Sequence, residues 1–152
     1  MGLNLIRGCL PSLLQLIQQG LEITEFDSSE ADLEETFDEI SWTVNRASAH
    51  FLQELTMMLG NEIWDPVVQW ATTKLNSEEW LEQYKGMVAL GAVLEGPSSD
   101  LIALNMDQVY PSLFTLFDSS DKSKLRWATA WVISQLVKHA PELVFKNHPT
   151  NL

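Results

Sequence analysis

The chain has a single cysteine, Cys9, among 152 residues. No internal disulfide can staple it, and a lone thiol fits a reducing cytosolic or nuclear compartment. Basic residues are also scarce: nine Lys and Arg stand against 21 Asp and Glu, for a formal net charge of -12. With no local basic cluster, broad docking on a nucleic-acid backbone is excluded, and the partners expected of such a surface are basic proteins or peptides drawn in by the field. Long apolar runs are missing too. Gly86 to Leu94 spans nine residues, about half of what a membrane-crossing helix needs, so no membrane partner is expected. Arg7 interrupts what would have to be the apolar core of a secretory signal, and Ile6 stands where a myristoylation site requires Ser or Thr.

Catalytic and metal-binding patterns are absent as well. His50, His139 and His148 share no ligand spacing with one another or with Cys9. Asp27-Ser-Ser-Glu30 and Asp118-Ser-Ser-Asp121 lack the turn glycine and the bidentate glutamate of a calcium loop, which leaves them as turns and caps. Gly91-Ala-Val-Leu-Glu-Gly96 lacks the lysine of a phosphate loop. No nucleophile stands at a recognisable spacing from a base. The expectation is a protein without catalysis, metal or cofactor.

What the sequence does contain is helical periodicity. Leu3, Ile6, Leu10, Leu13, Leu14, Ile17 and Leu21 fall in steps of three and four and describe one helical face running through Pro11. A second such segment, Ile102, Met106, Val109, Leu113, Leu116 and Phe117, surrounds Pro111. An interior proline removes a hydrogen bond and crowds the preceding turn, so both segments are expected to be kinked helices. Four more helices follow from punctuation: one capped by Ser41 and ending near Gly60, one opening at Asp65-Pro66 and ending near Asn76, one capped by Ser77 and stopped by Gly96-Pro97, and one running from Asp121 to Pro141. After Pro141 comes a partial element or frayed tail.

Six helices with no strand signal suggest pairs. Asn45-Arg-Ala-Ser-Ala49, Gln83-Tyr-Lys-Gly-Met87 and Arg126-Trp-Ala-Thr-Ala130 align in the second helix of each pair, in steps of 38 and 43 residues. This helix-turn-helix unit and period are those of HEAT repeats. The expected fold is all-α, an α-α superhelix or HEAT-repeat solenoid of about three helical hairpins forming one unit over 1–152. Repeat one covers about 3–60, repeat two 62–97 and repeat three 101–140, with 141–152 the partial element.

The two proline segments lie one hundred positions apart because repeat one carries an insertion between its helices, a loop at about 21–40. Nine of the 21 acids fall between Glu22 and Glu39, with no Lys or Arg among them. A run like this serves either as a solvated linker or as a receiver of basic side chains. Six tryptophans, Trp42, Trp64, Trp70, Trp80, Trp127 and Trp131, are mostly core by residue type. Trp42 directly follows the acidic run, however, and Trp127 and Trp131 are neighbours on one helix face. Carboxylates attract Arg and Lys, and an indole face adds about 0.5–2 kcal/mol by cation-π contact.

Trp80-Leu-Glu-Gln-Tyr-Lys-Gly-Met-Val-Ala-Leu-Gly-Ala-Val-Leu-Glu-Gly-Pro97, then Tyr110-Pro-Ser-Leu-Phe-Thr-Leu-Phe117 and Ala128-Thr-Ala-Trp-Val-Ile133, resemble the middle HEAT repeats of the importin-β family of nuclear transport receptors. The resemblance covers about Leu5 to Leu143. It implies a receptor that shuttles between cytoplasm and nucleus, whose second helices wrap a basic importin-α-type adaptor or cargo segment and whose acidic loop touches that segment and the GTPase Ran. It implies protein-binding roles for Trp42 and Trp131 and for the loop acids Asp32, Glu34, Glu35, Asp38 and Glu39, and it leaves nucleoporin contacts to repeats outside this chain. Two departures stand out: the family's Arg-Asp-Ala-Ala block is Gln83-Tyr84-Lys85-Gly86 here, and the acids are spread over a longer loop. The alternative is a HEAT scaffold of another complex, of phosphatase or vesicle-coat type, in which the acidic loop only aids solubility.

Overall fold

A computed structural model of the chain describes residues 2–22 and 44–147. Among these residues are eight α-helices and no strand: α1 (Gly2–Glu22), α2 (Val44–Leu59), α3 (Trp64–Leu75), α4 (Trp80–Val93), α5 (Ser99–Met106), α6 (Tyr110–Ser119), α7 (Ser123–His139) and α8 (Pro141–Asn147). Helix α1 packs on α2, α3 on α4 and α6 on α7, while α2, α4 and α7 lie side by side as a continuous second layer. The all-α solenoid expected from the periodicity is the fold observed.

The core runs along that second layer. Helix α4 sits in its middle, flanked by α2 and α7 and backed by α3. Every residue from Tyr84 to Leu94 is buried. A helix enclosed on all sides needs apolar or small residues all round, and the apolar run Gly86 to Leu94 supplies them. Two of its glycines mark close approaches. A Cβ on Gly86 would meet the Ala71 carbonyl oxygen of α3 at 2.7 Å, and one on Gly91 would collide with the indole of Trp131 on α7.

The first layer is looser. Between α3 on one side and α5 and α6 on the other runs a groove of about 670 Å³. Its floor includes Leu75, Met87, Leu113 and Leu116, its rim includes Asn76 and Gln83, and no lining residue is ionisable. The second-layer helices, by contrast, pack directly, α2 on α4 and α4 on α7.

Several local expectations are corrected. The segment around Pro111 is not one kinked helix: residues 107–109 form a turn, and Pro111 sits in the first turn of a new helix, α6. There its missing N–H would have had no intrahelical acceptor in any case, so restarting costs less than kinking. By contrast, α1 continues without a break through Pro11. Helix α3 starts at Trp64, directly after a 3₁₀ turn at Gly60–Ile63, so Asp65 and Pro66 lie inside its first turn instead of capping it. Gly60 ends α2 with φ +60, the left-handed conformation that glycine adopts without strain. Helix α4 starts at Trp80, not after Ser77, and α7 at Ser123, not after Asp121. Each entry is preceded by the same turn: Ser77 Oγ accepts from the Glu79 amide at 3.1 Å, and Ser120 Oγ accepts from the Lys122 amide at 3.2 Å. Serine acts here as a turn former three residues ahead of the helix. The partial element after Pro141 is helix α8, and the Ser41 cap lies outside the described residues.

Candidate protein-binding face

On α7, steps of four residues place Trp127, Trp131, Gln135 and His139 along one stripe. The indoles of Trp127 and Trp131 stack, with centroids 6.1 Å apart and planes 17° apart. Trp127 is 46% exposed, while Trp131 is half-buried because its ring rests on Gly91 of α4. One turn further on, Gln135 Nε2 donates to the Gly91 carbonyl oxygen at 3.1 Å and to Glu95 Oε1 at 2.6 Å. Glu95 Oε2 in turn lies 3.3 Å from His139 Nε2. Two flat apolar faces, one of them well exposed, are thus held in place, an arrangement able to take a cation with an apolar stem. Next to the pair, Arg126 is already engaged: its guanidinium lies 4.8 Å from the centre of the Phe117 ring, and its Nε donates to the Phe117 carbonyl oxygen at 3.2 Å.

A second charged constellation joins three helices. Glu22, the last residue of α1, pairs with Lys74 of α3 and lies 3.6 Å from Lys85 of α4. Glu82 of α4 accepts from Lys74 at 2.6 Å and from Lys85 at 3.1 Å. The hydrogen bond from Lys74 holds the Glu82 carboxyl below its ordinary value against the opposing effect of burial, with Lys85 adding to it. Burial disfavours the Lys74 ammonium, but its hydrogen bonds to Glu22 and Glu82 outweigh that cost and raise its pKa. The first acid of the negative run is therefore matched by lysines 52 and 63 positions away, not left uncompensated.

Of the residues expected to bind protein, Trp131 is described, and it lies on the second-layer helix α7. Trp42, Asp32, Glu34, Glu35, Asp38 and Glu39 lie outside the described residues. Gly91, Glu95 and Gln135 carried no signal of their own beyond the four-residue step from Trp131 to Gln135, because their partners are about forty positions away. Among the described residues no group of His, Cys, Asp or Glu could hold a metal ion, and no helix is long and apolar enough to cross a membrane.

No family model matches the sequence. Among curated proteins the chain is similar to importin subunit beta-1 of Saccharomyces cerevisiae, at 22% identity over 142 residues, 93% of this chain and 15% of the relative. It is similar to importin subunit beta-1 of Schizosaccharomyces pombe at 26% over 103 residues, 68% of this chain and 12% of the relative. The Arabidopsis thaliana protein of the same name is 23% identical over 127 residues, 84% of this chain and 14% of the relative. Similar solved structures include Kap95p with RanGDP, whose switch loops adopt the GTP-bound conformation on Kap95p binding (TM-score 0.71, 21% identity, 94% of this chain and 15% of that one). A Kap95:Nup1 complex is also similar (TM-score 0.70, 21% identity, 91% and 14%). The chain spans about 15% of the length of the first of these relatives.

Proposed function

We propose that this chain, a HEAT-repeat segment of the importin-β type, is a non-catalytic protein-binding module of a nuclear transport receptor that moves between cytoplasm and nucleus. Its second-layer helices form the inner, concave side of the solenoid and receive an Arg/Lys-rich segment of an adaptor or cargo, and its acidic segment meets the same ligand and Ran. The stacked, half-open pair Trp127–Trp131, with Trp131 seated on Gly91, carries this proposal. Indoles held in place offer their faces to a guanidinium or ammonium, and a net charge of -12 steers such a ligand in. The complex solved for a similar receptor with RanGDP supports Ran as a partner, and the one with Nup1 supports a nucleoporin partner in receptors of this type.

Each exposed ion pair contributes only about 0.2–1 kcal/mol, so the acids have to act together, and added salt then weakens binding steeply. The test is titration of a basic adaptor peptide against the chain at low and physiological salt. Replacing Glu34, Glu35, Asp38 and Glu39 by the amides slows association and flattens the salt dependence, whereas Trp42→Ala or Trp131→Ala chiefly speeds dissociation. Equal affinity of wild type and the four-amide variant at low salt makes the acidic segment a solvated linker and favours a HEAT scaffold of another complex.

A further inference from the structure

Trp131 is a side chain of α7, yet what fixes its ring belongs largely to α4. The indole fills the space a Cβ on Gly91 would need, and the nearest ring atoms are Cζ3, Cε3 and Cη2, the outer edge of its six-membered ring. One turn along α7, Gln135 places its amide nitrogen between the Gly91 carbonyl oxygen of α4, at 3.1 Å, and Oε1 of Glu95 in the turn after α4, at 2.6 Å. Gln135 is 5% exposed, so its amide has little access to water as a substitute partner. Gly91 of α4 and Glu95 of the turn after it thus face Trp131, Gln135 and His139 in turn. Across this joint, sliding or rotating α7 against α4 has to break the buried amide bonds and lift the indole off the glycine.

We propose that Gly91, Gln135 and Glu95 are positioning residues for Trp131, so that the indole pair takes its recognition geometry only at one relative angle of two successive inner helices. A ligand that grips the pair then favours that angle, and a change in solenoid curvature at this joint re-aims the pair and alters affinity. The proposal deepens the basic-segment function above and rests on it for the meaning of the affinity change, but not for the position of the ring.

The experiment uses the full 152-residue chain labelled with 7-fluorotryptophan, whose fluorine sits on Cζ2 and not on the ring atoms nearest Gly91, with the fluorine resonance of Trp131 assigned from its loss in Trp131→Phe. In Gly91→Ala the added methyl displaces the ring, and in Gln135→Ala or Glu95→Ala the joint loosens. The Trp131 resonance is expected to shift in all three and to stay at its wild-type position in Glu95→Gln, which keeps an acceptor for Gln135. Basic-peptide affinity is expected to fall about 2- to 30-fold in the three disruptive variants and to be retained in Glu95→Gln. Should Gly91→Ala fail to fold, Glu95→Ala against Glu95→Gln makes the same comparison. A Trp131 resonance unmoved in Gly91→Ala and Gln135→Ala, or one that moves equally in Glu95→Gln and Glu95→Ala, overturns the positioning role. A shifted resonance in a chain whose wild type binds no basic peptide supports the positioning role and overturns the basic-segment function instead.

Discussion

The backbone carbonyl of Thr56 on α2 occupies the space in which a Cβ on Gly96 would stand, so the turn after α4 touches α2 through bare backbone. The same Thr56 donates its hydroxyl hydrogen to the Val93 carbonyl oxygen at 3.0 Å. Val93 ends α4, and the residue four positions on, Pro97, has no N–H to offer that oxygen. One threonine thus sets the spacing between two second-layer helices and satisfies a helix end.

Gly96→Ala is expected to destabilise the fold by about 3 kcal/mol, because the obstacle is backbone and cannot swing aside. Thr56→Val is expected to cost about 1–2 kcal/mol through the buried Val93 oxygen it leaves bare, with Thr56→Ser restoring most of it. Urea melts check both: the midpoint falls while the slope stays constant.

Two helical glycines of α4 should answer to alanine differently. Alanine gains up to about 1 kcal/mol in helix propensity at either site. At Gly86 the methyl meets the Ala71 carbonyl oxygen at 2.7 Å and Lys74 Cβ at 2.9 Å, both fixed on α3, so a net loss of about 1–3 kcal/mol is expected. At Gly91 it meets the rim of an indole that can turn, and the melting midpoint should change far less. Equal losses at the two positions would show the Trp131 ring to be as immovable as backbone.

The Glu22, Lys74, Glu82 and Lys85 cluster predicts a pH dependence with two limbs. Glu82 is held below its ordinary value of 4.5, so its contribution is present above pH 4.5 and is lost as the pH falls through the lower folded value. Lys74 is raised above 10.5, so its contribution is present below pH 10.5 and is lost as the pH rises through the higher folded value. The stability gap between wild type and Glu82→Gln, measured by urea melts, should be widest near about pH 7 and close once the pH has fallen through the depressed folded value of Glu82. A gap that stays constant across that range means the carboxylate adds nothing through its charge.

One side of the α1–α2 hairpin exposes apolar side chains: Phe51 at 43% and Met58 at 48% line a shallow depression with Ile6 and Leu13. Unpartnered repeat faces associate. Sedimentation velocity on the isolated chain should show weight-average mass rising with concentration, and the double substitution Phe51→Glu, Met58→Glu should suppress the rise. A strictly monomeric wild type at high concentration would remove this face from consideration as a contact.

The sequence made the helices and their order legible because periodicity and punctuation act over a few residues. The apolar face of α1 and the run Gly86 to Leu94 were each readable within one segment. Helix starts were misplaced where a serine turn precedes the helix: Ser77 was read as an N-cap and Asp121 as an opening residue, but the Ser77 and Ser120 hydroxyls form turns, and each helix opens three residues after its serine. The segment at Pro111 was read as continuous because its apolar spacing is kept across the break. The partners of Glu22 were hidden because Lys74 and Lys85 come from another hairpin. Trp131 was found from its residue type, but its seat on Gly91 and the Gln135–Glu95 bond depend on how two hairpins are stacked, and no local pattern encodes that.

Because α4 is enclosed from Tyr84 to Leu94, it has no solvent side on which substitutions can accumulate. In a saturation library of this chain, exposed positions such as Leu104 or Val137 would tolerate polar replacements. The eleven consecutive positions from Tyr84 to Leu94 would instead tolerate few, and those mostly of equal or smaller volume. Helices at the margins can change their outer faces and take new partners, while the helix they lean on stays fixed in size and chemistry. In a protein built by stacking, the capacity to vary thus decreases from the outer positions toward the middle hairpin.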